Sequence, residues 1–250
     1  MARLEYKYYI PELYLDELRH DILPFLVYDS FTLLRPNKEY TVRSIYLDSP
    51  QLHTYQEKLI GTKERHKYRI RGYNEQSDSS IVFLEIKRKD IEFVSKDRAK
   101  LLYSDLDKFL DTKDNSLLNC PDNERELHKS AARNFLYYYY LYQLRPAVIV
   151  TYEREAFECK FNTGLRVTFD KNIRSRPANS FTTLFGDEGM VASLINYFVL
   201  EIKYHKIVPG WLPKVMSKYN VFRDSASKYM MSIDASYNHN YLNSLNNLYI

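Results

Sequence analysis

The chain has 250 residues and a formal net charge of +4, and 45% of it is hydrophobic, including 24 tyrosines and 13 phenylalanines. A chain of that length can bury roughly three quarters of its unfolded surface in one large domain, and that composition excludes general disorder. No run approaches the roughly 18 apolar residues that a spanning helix needs, so no membrane insertion is expected. The start, Met1-Ala2-Arg3-Leu4-Glu5-Tyr6-Lys7, reads as strand rather than as a secretion signal. Cys120 and Cys159 lie far apart and lack CxxC or Cys/His spacing, which excludes a disulfide framework and a structural zinc and fits a reducing cytoplasm.

Residues 3–10 read as a first strand, after which Pro11 opens a helix to about Leu26 on Leu13, Leu15, Leu18 and Ile22. Strands are predicted at Tyr40–Leu47, His66–Tyr73, Ile81–Lys89 and Phe93–Tyr103, with polar Asn74–Ser80 as a connection that makes its neighbours antiparallel. Ser104–Asp111 reads as a short helix, Asn115–Asn123 as a loop, and Glu124–Leu144 as a long helix whose Tyr137-Tyr138-Tyr139-Tyr140 run packs it on the outside of a sheet. Strands follow at Ala147–Phe157, Leu165–Asp170 and Tyr197–Tyr204, with a polar loop between the last two, then a helix near Trp211–Lys218. One domain over residues 1–233 is expected, and Asp234–Ile250, rich in Asn, Tyr and Ser, reads as a loosely held tail. Leu84-Glu85-Ile86-Lys87 recurs as Leu200-Glu201-Ile202-Lys203, a repeat that suits a sheet built from two related halves.

Side chains alternate across a strand, so residues of one parity share a face. One such face collects Lys67, Arg69 and Arg71, then Glu85, Lys87 and Lys89, then Lys96, Arg98 and Lys100. Lys7 joins Glu5, Arg154 joins Tyr152, Arg166 joins Asp170, and Lys203 joins Glu201, giving twelve basic residues against four acidic ones. Neighbours two apart on a strand lie about 7 Å apart, and each like pair costs on the order of 2 kcal/mol at an effective dielectric near 20 before screening. A solvated face would mix signs, whereas an anion site explains the bias because the missing negative charge arrives with the ligand. Only six glycines occur, with no GxxxxGK[ST] or GxGxxG, so side chains rather than a glycine-rich loop must hold phosphate. Nucleic acid fits less well, since the basic strands carry few alternating aromatics for stacking. A carboxylate among phosphates and arginines calls for a divalent cation to bridge it; Glu201 and Glu5 are the metal candidates, and an ion pair with a neighbouring base is the alternative for each.

At these residues the sequence resembles the VTC domain, the polyphosphate polymerase domain of the vacuolar transporter chaperone complex, related to the CYTH triphosphate tunnel enzymes. The likeness is carried by Arg3-Leu4-Glu5-Tyr6-Lys7-Tyr8, Val42-Arg43-Ser44-Ile45-Tyr46-Leu47-Asp48-Ser49-Pro50, Tyr55-Gln56-Glu57-Lys58-Leu59 and Lys67-Tyr68-Arg69-Ile70-Arg71. It continues through Phe83-Leu84-Glu85-Ile86-Lys87, Ser95-Lys96-Asp97-Arg98, Tyr152-Glu153-Arg154, Leu165-Arg166-Val167-Thr168-Phe169-Asp170, Leu200-Glu201-Ile202-Lys203 and Ser227-Lys228-Tyr229. The resemblance implies an α+β fold, an antiparallel eight-stranded β-tunnel with helices packed outside. It also implies an enzyme that moves the terminal phosphoryl of ATP onto inorganic polyphosphate with Mn²⁺ or Mg²⁺. Carried over by motif, Lys7, Arg69, Arg71, Lys87, Arg154, Arg166 and Glu201 are the catalytic set. Lys96, Arg98, Tyr152, Lys203, Ser227 and Lys228 are the further phosphate contacts, and Glu201 with Glu5 the metal ligands. The sequence departs from its relatives at Arg3, where the triphosphatases place the first glutamate of Glu-x-Glu-x-Lys, and at Ser225, where a basic residue is expected. With neither an SPX domain nor membrane helices, it looks like a stand-alone bacterial version. Synthesis of polyphosphate is the leading reading; a tunnel hydrolase and a polyphosphate-binding module are the alternatives.

Overall fold

Alternation of apolar and charged residues builds most of this molecule. The computed structural model describes residues 4–90, 93–161, 163–205 and 207–236; Arg3 and the tail beyond residue 236 lie outside the described residues. In chain order the strands are β1 (Leu4–Pro11), β2 (Leu26–Tyr28), β3 (Tyr40–Asp48), β4 (Glu64–Tyr73), β5 (Ile81–Asp90) and β6 (Phe93–Leu102). They continue with β7 (Arg145–Cys159), β8 (Arg166–Pro177), β9 (Val191–Ala192), β10 (Tyr197–Tyr204) and β11 (Arg223–Asp224). All pair antiparallel in one sheet of order β11-β1-β10-β8-β7-β3-β4-β5-β6, with β2 on β7 and β9 on β8. Among the described residues the sheet therefore has eleven strands where eight were expected. The eight long ones answer to that expectation; β2, β9 and β11 are three, two and two residues long, too short for any alternation to show.

The helices are α1 (Leu15–Ile22), α2 (Ser30–Leu33), α3 (His53–Ile60), α4 (Leu106–Thr112), α5 (Arg125–Leu141) and α6 (Trp211–Ser217), and residues 228–236 form a seventh, α7. The helix expected from Pro11 to about Leu26 is shorter. A 3₁₀ turn (Glu12–Tyr14) leads into α1, which ends at Ile22 because Pro24 has no N–H to continue it, and Leu26 belongs to a strand. The polar stretch after Asp170 continues β8 to Pro177, because Ile173 and Ser175 are fully buried against β7 and β9. Asn172 takes φ 47° beside the β7 bulge between Thr151 and Glu153, a conformation Asn tolerates.

The sheet buries apolar residues on both faces. Its outer face carries Ile70, Leu84, Ile86 and Leu101 beneath Phe109 of α4 and Phe135 of α5. Tyr138 and Tyr139 of the four-tyrosine run pack on this same cluster, while Tyr137 and Tyr140 stay exposed. Around the molecule, Phe169, Leu200 and Ile202 meet Leu18 and Ile22 of α1 and Leu212 of α6. Each such fully buried Leu, Ile or Phe side chain contributes roughly 1.5–3 kcal/mol. A third cluster lies on the concave face, where Val42, Tyr46, Val150 and Val199 surround Tyr229 and Ile233 of α7. The curl brings β5 against β1, strands remote in the sheet order: Lys87 Nζ lies 2.8 Å from Glu5 Oε2. The concave face is thereby the wall of a tunnel, with α7 packed against it.

Candidate functional site

Register places the charged residues of the concave face directly beside one another. Across β4, β5 and β6, Lys67 pairs with Lys87 and Lys87 with Lys96; on the next rung Arg69 pairs with Glu85 and Glu85 with Arg98. Directly opposed side chains sit about 5 Å apart, where two like charges repel by roughly 3 kcal/mol at an effective dielectric of 20 before screening. The rung of three lysines is thus a built-in demand for anions.

Two buried glutamates answer part of it. Glu85, 1% exposed, is the hub of the first group. Arg69 donates to its Oε2 through Nε at 2.7 Å, Lys96 and Arg98 (Nε at 3.2 Å) flank Oε1, and Arg71 Nε stands 3.9 Å away. Arg98 lies over the Phe83 ring at 3.4 Å, Arg69 also donates to Tyr46 Oη at 3.1 Å, and Arg71 donates to Ser44 Oγ at 3.4 Å. Glu201, 5% exposed, is the second hub. Lys203 and Lys228 each donate to it at 2.9 Å, Lys7 lies at 3.4 Å and Arg154 at 3.7 Å. Arg154 grips Asp170 through two hydrogen bonds of 2.6 and 2.7 Å, and its guanidinium and the Lys228 ammonium sit 5.3 and 4.9 Å from the Tyr152 ring centre. Glu5 joins the halves, 3.2 Å from Lys7 and 2.8 Å from Lys87. Ser227 accepts from Lys67 at 2.8 Å.

Twelve of the residues singled out in the sequence therefore meet in this network or touch it: Lys7, Arg69, Arg71, Lys87, Arg154, Glu201, Lys96, Arg98, Tyr152, Lys203, Lys228 and Glu5. Ser227 stands at its edge through Lys67. Arg166 stands directly across from Lys203 but makes its ion pairs outside the network, with Asp29 at 2.7 Å and Glu158 at 3.0 Å.

The charges of the network follow from competition between burial and neighbours. Burial alone would raise the Glu201 and Glu85 carboxyls, but Lys203, Lys228 and Lys7 around the first and Arg69, Arg71 and Lys96 around the second hold both well below the usual range. Lysines with too few acids are pushed the other way. Burial brings Lys87 down to about 8, with Glu5 opposing. It brings Lys96 down to about 7, with Glu85 opposing. Lys67, buried among Lys7, Lys87, Lys58 and Arg69, falls well below its ordinary value.

Among the described residues no three His, Cys, Asp or Glu side chains gather into a metal cluster. Hard divalent cations that bind phosphates need only one or two carboxylates, since substrate oxygens and water complete the shell. Glu5 and Glu201 lie on adjoining strands, with Lys7 within ion-pairing distance of both. Thr168, directly across from Glu201, has a buried hydroxyl oxygen with no hydrogen-bond partner among the described residues. This all-oxygen donor set fits such a cation.

A family profile described as the VTC domain matches residues 2–237. The chain belongs to that family. Among solved structures, a protein from Pyrococcus horikoshii OT3 is similar at 14% identity and TM-score 0.47, over 93% of this chain and 99% of that one. A putative adenylate cyclase from Bacillus halodurans is similar at 10% identity and TM-score 0.45, over 91% and 96%. The Mimivirus capping enzyme triphosphatase is similar at 10% identity and TM-score 0.34, over 87% and 86%. No curated protein matches the sequence.

Within this VTC domain, parity picked out the strand cations, and the resemblance Lys228, but neither picked out what holds them. Glu85, Asp170 and Tyr46 organise the network as closely as any base, and the first two had been counted only as an acidic minority. The signal was present in the Leu-Glu-Ile-Lys repeat, whose two glutamates are the two hubs while its leucines and isoleucines pack outward. Among the described residues no helix is long and apolar enough to cross a membrane.

Proposed function

We propose that this VTC domain is a polyphosphate polymerase that transfers the γ-phosphoryl of ATP onto a growing inorganic polyphosphate chain. The observation that carries the reading is the double hub: eight cations converge on two buried glutamates in a strand-lined interior. Phosphoryl transfer needs positioning and neutralisation of the three equatorial oxygens far more than a protein nucleophile. Arg69, Arg71 and Arg154 offer planar forks for phosphate oxygens, and Lys7, Lys87, Lys96, Lys203 and Lys228 offer point charges. An incoming phosphate takes over cations that Glu85 and Glu201 hold in its absence, so the interior need not reorganise to receive it. Arg98 and Tyr152 brace the Glu85 and Glu201 groups respectively. Bound by Glu201 and Glu5 together with substrate oxygens, Mn²⁺ or Mg²⁺ would supply Lewis-acid neutralisation of the transferred group.

Incubation with ATP and Mn²⁺ is expected to give long-chain polyphosphate, read by sizing the polymer, and Arg69→Ala to abolish it. Metal-loaded protein that makes no polymer sinks the reading, and release of orthophosphate from tripolyphosphate without polymer would replace it with a hydrolase.

The depressed lysines give the site a pH signature. Lys96 and Lys87 lose their charge as pH rises through about 7 and about 8, and a bound phosphate favours the charged form. Binding of tripolyphosphate is therefore expected to weaken from pH 6.5 to 9 and to take up protons near pH 8, seen as a buffer-dependent heat in calorimetry. Stability without ligand has the opposite sign. The unfolded lysines hold protons that the folded ones have shed, so these groups make the protein more stable as pH rises from about 7 toward the ordinary lysine range near 10.4. Heat that is the same in all buffers would refute the proton uptake.

A further inference from the structure

The cations inside the tunnel mostly face carboxylates, but those at the end where β4 begins do not. Among the described residues Lys58, Arg65 and Lys89 have no acid at ion-pairing distance; Asp224 acts on Lys58 and Glu5 on Lys89 only from further away. Arg65 and Lys89 are directly opposed across β4 and β5, one rung out from Lys67 and Lys87. Lys58 comes from α3, which is tied to β4 by the His66 N–H donating to Glu57 at 3.4 Å. All three side chains are part-exposed, on a rim that solvent reaches.

What connects this rim to the interior is a stretch of three neutral acceptors. Ser225 Oγ accepts from Lys58 at 2.7 Å, the Ala226 carbonyl from Lys7 at 3.2 Å, and Ser227 Oγ from Lys67 at 2.8 Å. Hydroxyls and a carbonyl position ammonium groups without cancelling their charge. The ammoniums therefore run unbroken from the rim to Lys7, which touches the Glu201 hub. Among the described residues no carboxylate comes within ion-pairing distance of the opposed Arg65 and Lys89, and both Lys58 and Lys89 are lowered by burial and by Arg65.

We propose that Lys58, Arg65 and Lys89 form a second phosphate subsite at this mouth, which holds the distal phosphates of a polyphosphate chain whose end lies in the tunnel. The proposal rests on the reading of the tunnel as a polyphosphate site and adds a length preference to it: a chain long enough to reach the rim gains contacts that a triphosphate cannot make. Phosphate is favoured over nucleic acid because the rim's own side chains are a helix lysine and two strand cations, with no aromatic among them on which a base could stack.

The test is direct binding, with no turnover required, of tripolyphosphate and of a defined chain of several tens of phosphates, by calorimetry. The unmutated protein is expected to bind the long chain more tightly. Arg65→Ala with Lys89→Ala, and separately Lys58→Glu on the half-exposed face of α3, are expected to weaken long-chain binding about tenfold while moving tripolyphosphate by less than about twofold, since part-exposed ion pairs are individually weak and only the long chain reaches them. The salt dependence of long-chain binding should fall by about one for each cation removed. Equal losses for both ligands, or an unchanged long-chain preference, overturn the subsite and leave the tunnel reading standing. Failure of the unmutated protein to bind either anion removes the tunnel reading and the subsite with it. A single-stranded oligonucleotide of matched charge that gains as much from the rim as polyphosphate does overturns it as a polyphosphate subsite. Should the double variant unfold, Lys58→Glu decides alone.

Discussion

Glu85→Gln is expected to lower the stability of the ligand-free protein by about 3–5 kcal/mol, the cost of breaking a buried ion pair from one side. The carboxylate is 1% exposed and sits among Arg69, Arg71, Lys96 and Arg98. A neutral amide leaves those cations facing one another with only Tyr46 and Ser44 oxygens to offset them. For a chain of this size that amounts to a fall of roughly 10 °C in the thermal midpoint. Tripolyphosphate is expected to restore most of the loss, because anion binding supplies the missing charge and stabilises by mass action. Thermal unfolding of both proteins with and without tripolyphosphate decides it. A midpoint that does not move, or a ligand gain no larger in Glu85→Gln than in the unmutated protein, would show that Glu85 does not stand in for bound phosphate.

The strand pattern and the sign of the concave face were legible because both are encoded at a period of two, within single strands. Lys67, Arg69 and Arg71 or Lys96 and Arg98 announce a face without knowledge of their partners. What joins the strands was not legible. Cross-strand register depends on the turns that join the strands, so neither the rung Lys67–Lys87–Lys96 nor the Glu85 hub could be assembled from one dimension. Two elements of the site were not predicted as helices. In α3 the apolar residues Leu59 and Ile60 are both exposed, so no buried stripe marks it. In α7 the buried face includes Lys228, Ser232 and Ser236 beside Tyr229 and Ile233, a polar composition that reads as loop. These two helices carry Lys58 and Lys228. The departure at Ser225 also gains a meaning that needs the fold. A hydroxyl stands where a base was expected, and Lys58, remote in sequence, brings an ammonium to it.

The Leu-Glu-Ile-Lys repeat gives the second large prediction, because it makes two buried glutamates comparable in surroundings and separable in role. Glu201→Gln is expected to destabilise the ligand-free protein much as Glu85→Gln does, since Lys7, Lys203, Lys228 and Arg154 lose their common anion. Polyphosphate should restore that stability as well. Turnover should separate them. Glu85 is surrounded by four cations, so its role ends once phosphate has taken over those cations. Glu201 has Glu5 as a like-charged neighbour and, on the adjoining strand, the Thr168 hydroxyl, which has no hydrogen-bond partner among the described residues, the oxygen set that suits a divalent ion. Losing that ion's share of charge stabilisation, several kcal/mol, is expected to cut polymer synthesis by about 10²–10³-fold, with saturating Mn²⁺ shifting the metal dependence rather than rescuing the rate. Glu85→Gln, assayed below its lowered midpoint, should lose about tenfold or less, the scale of one displaced but still present arginine. Rates measured against metal concentration for the two variants side by side provide the check. Equal losses with unchanged metal dependence would make both glutamates positioning residues and would move the metal away from Glu201.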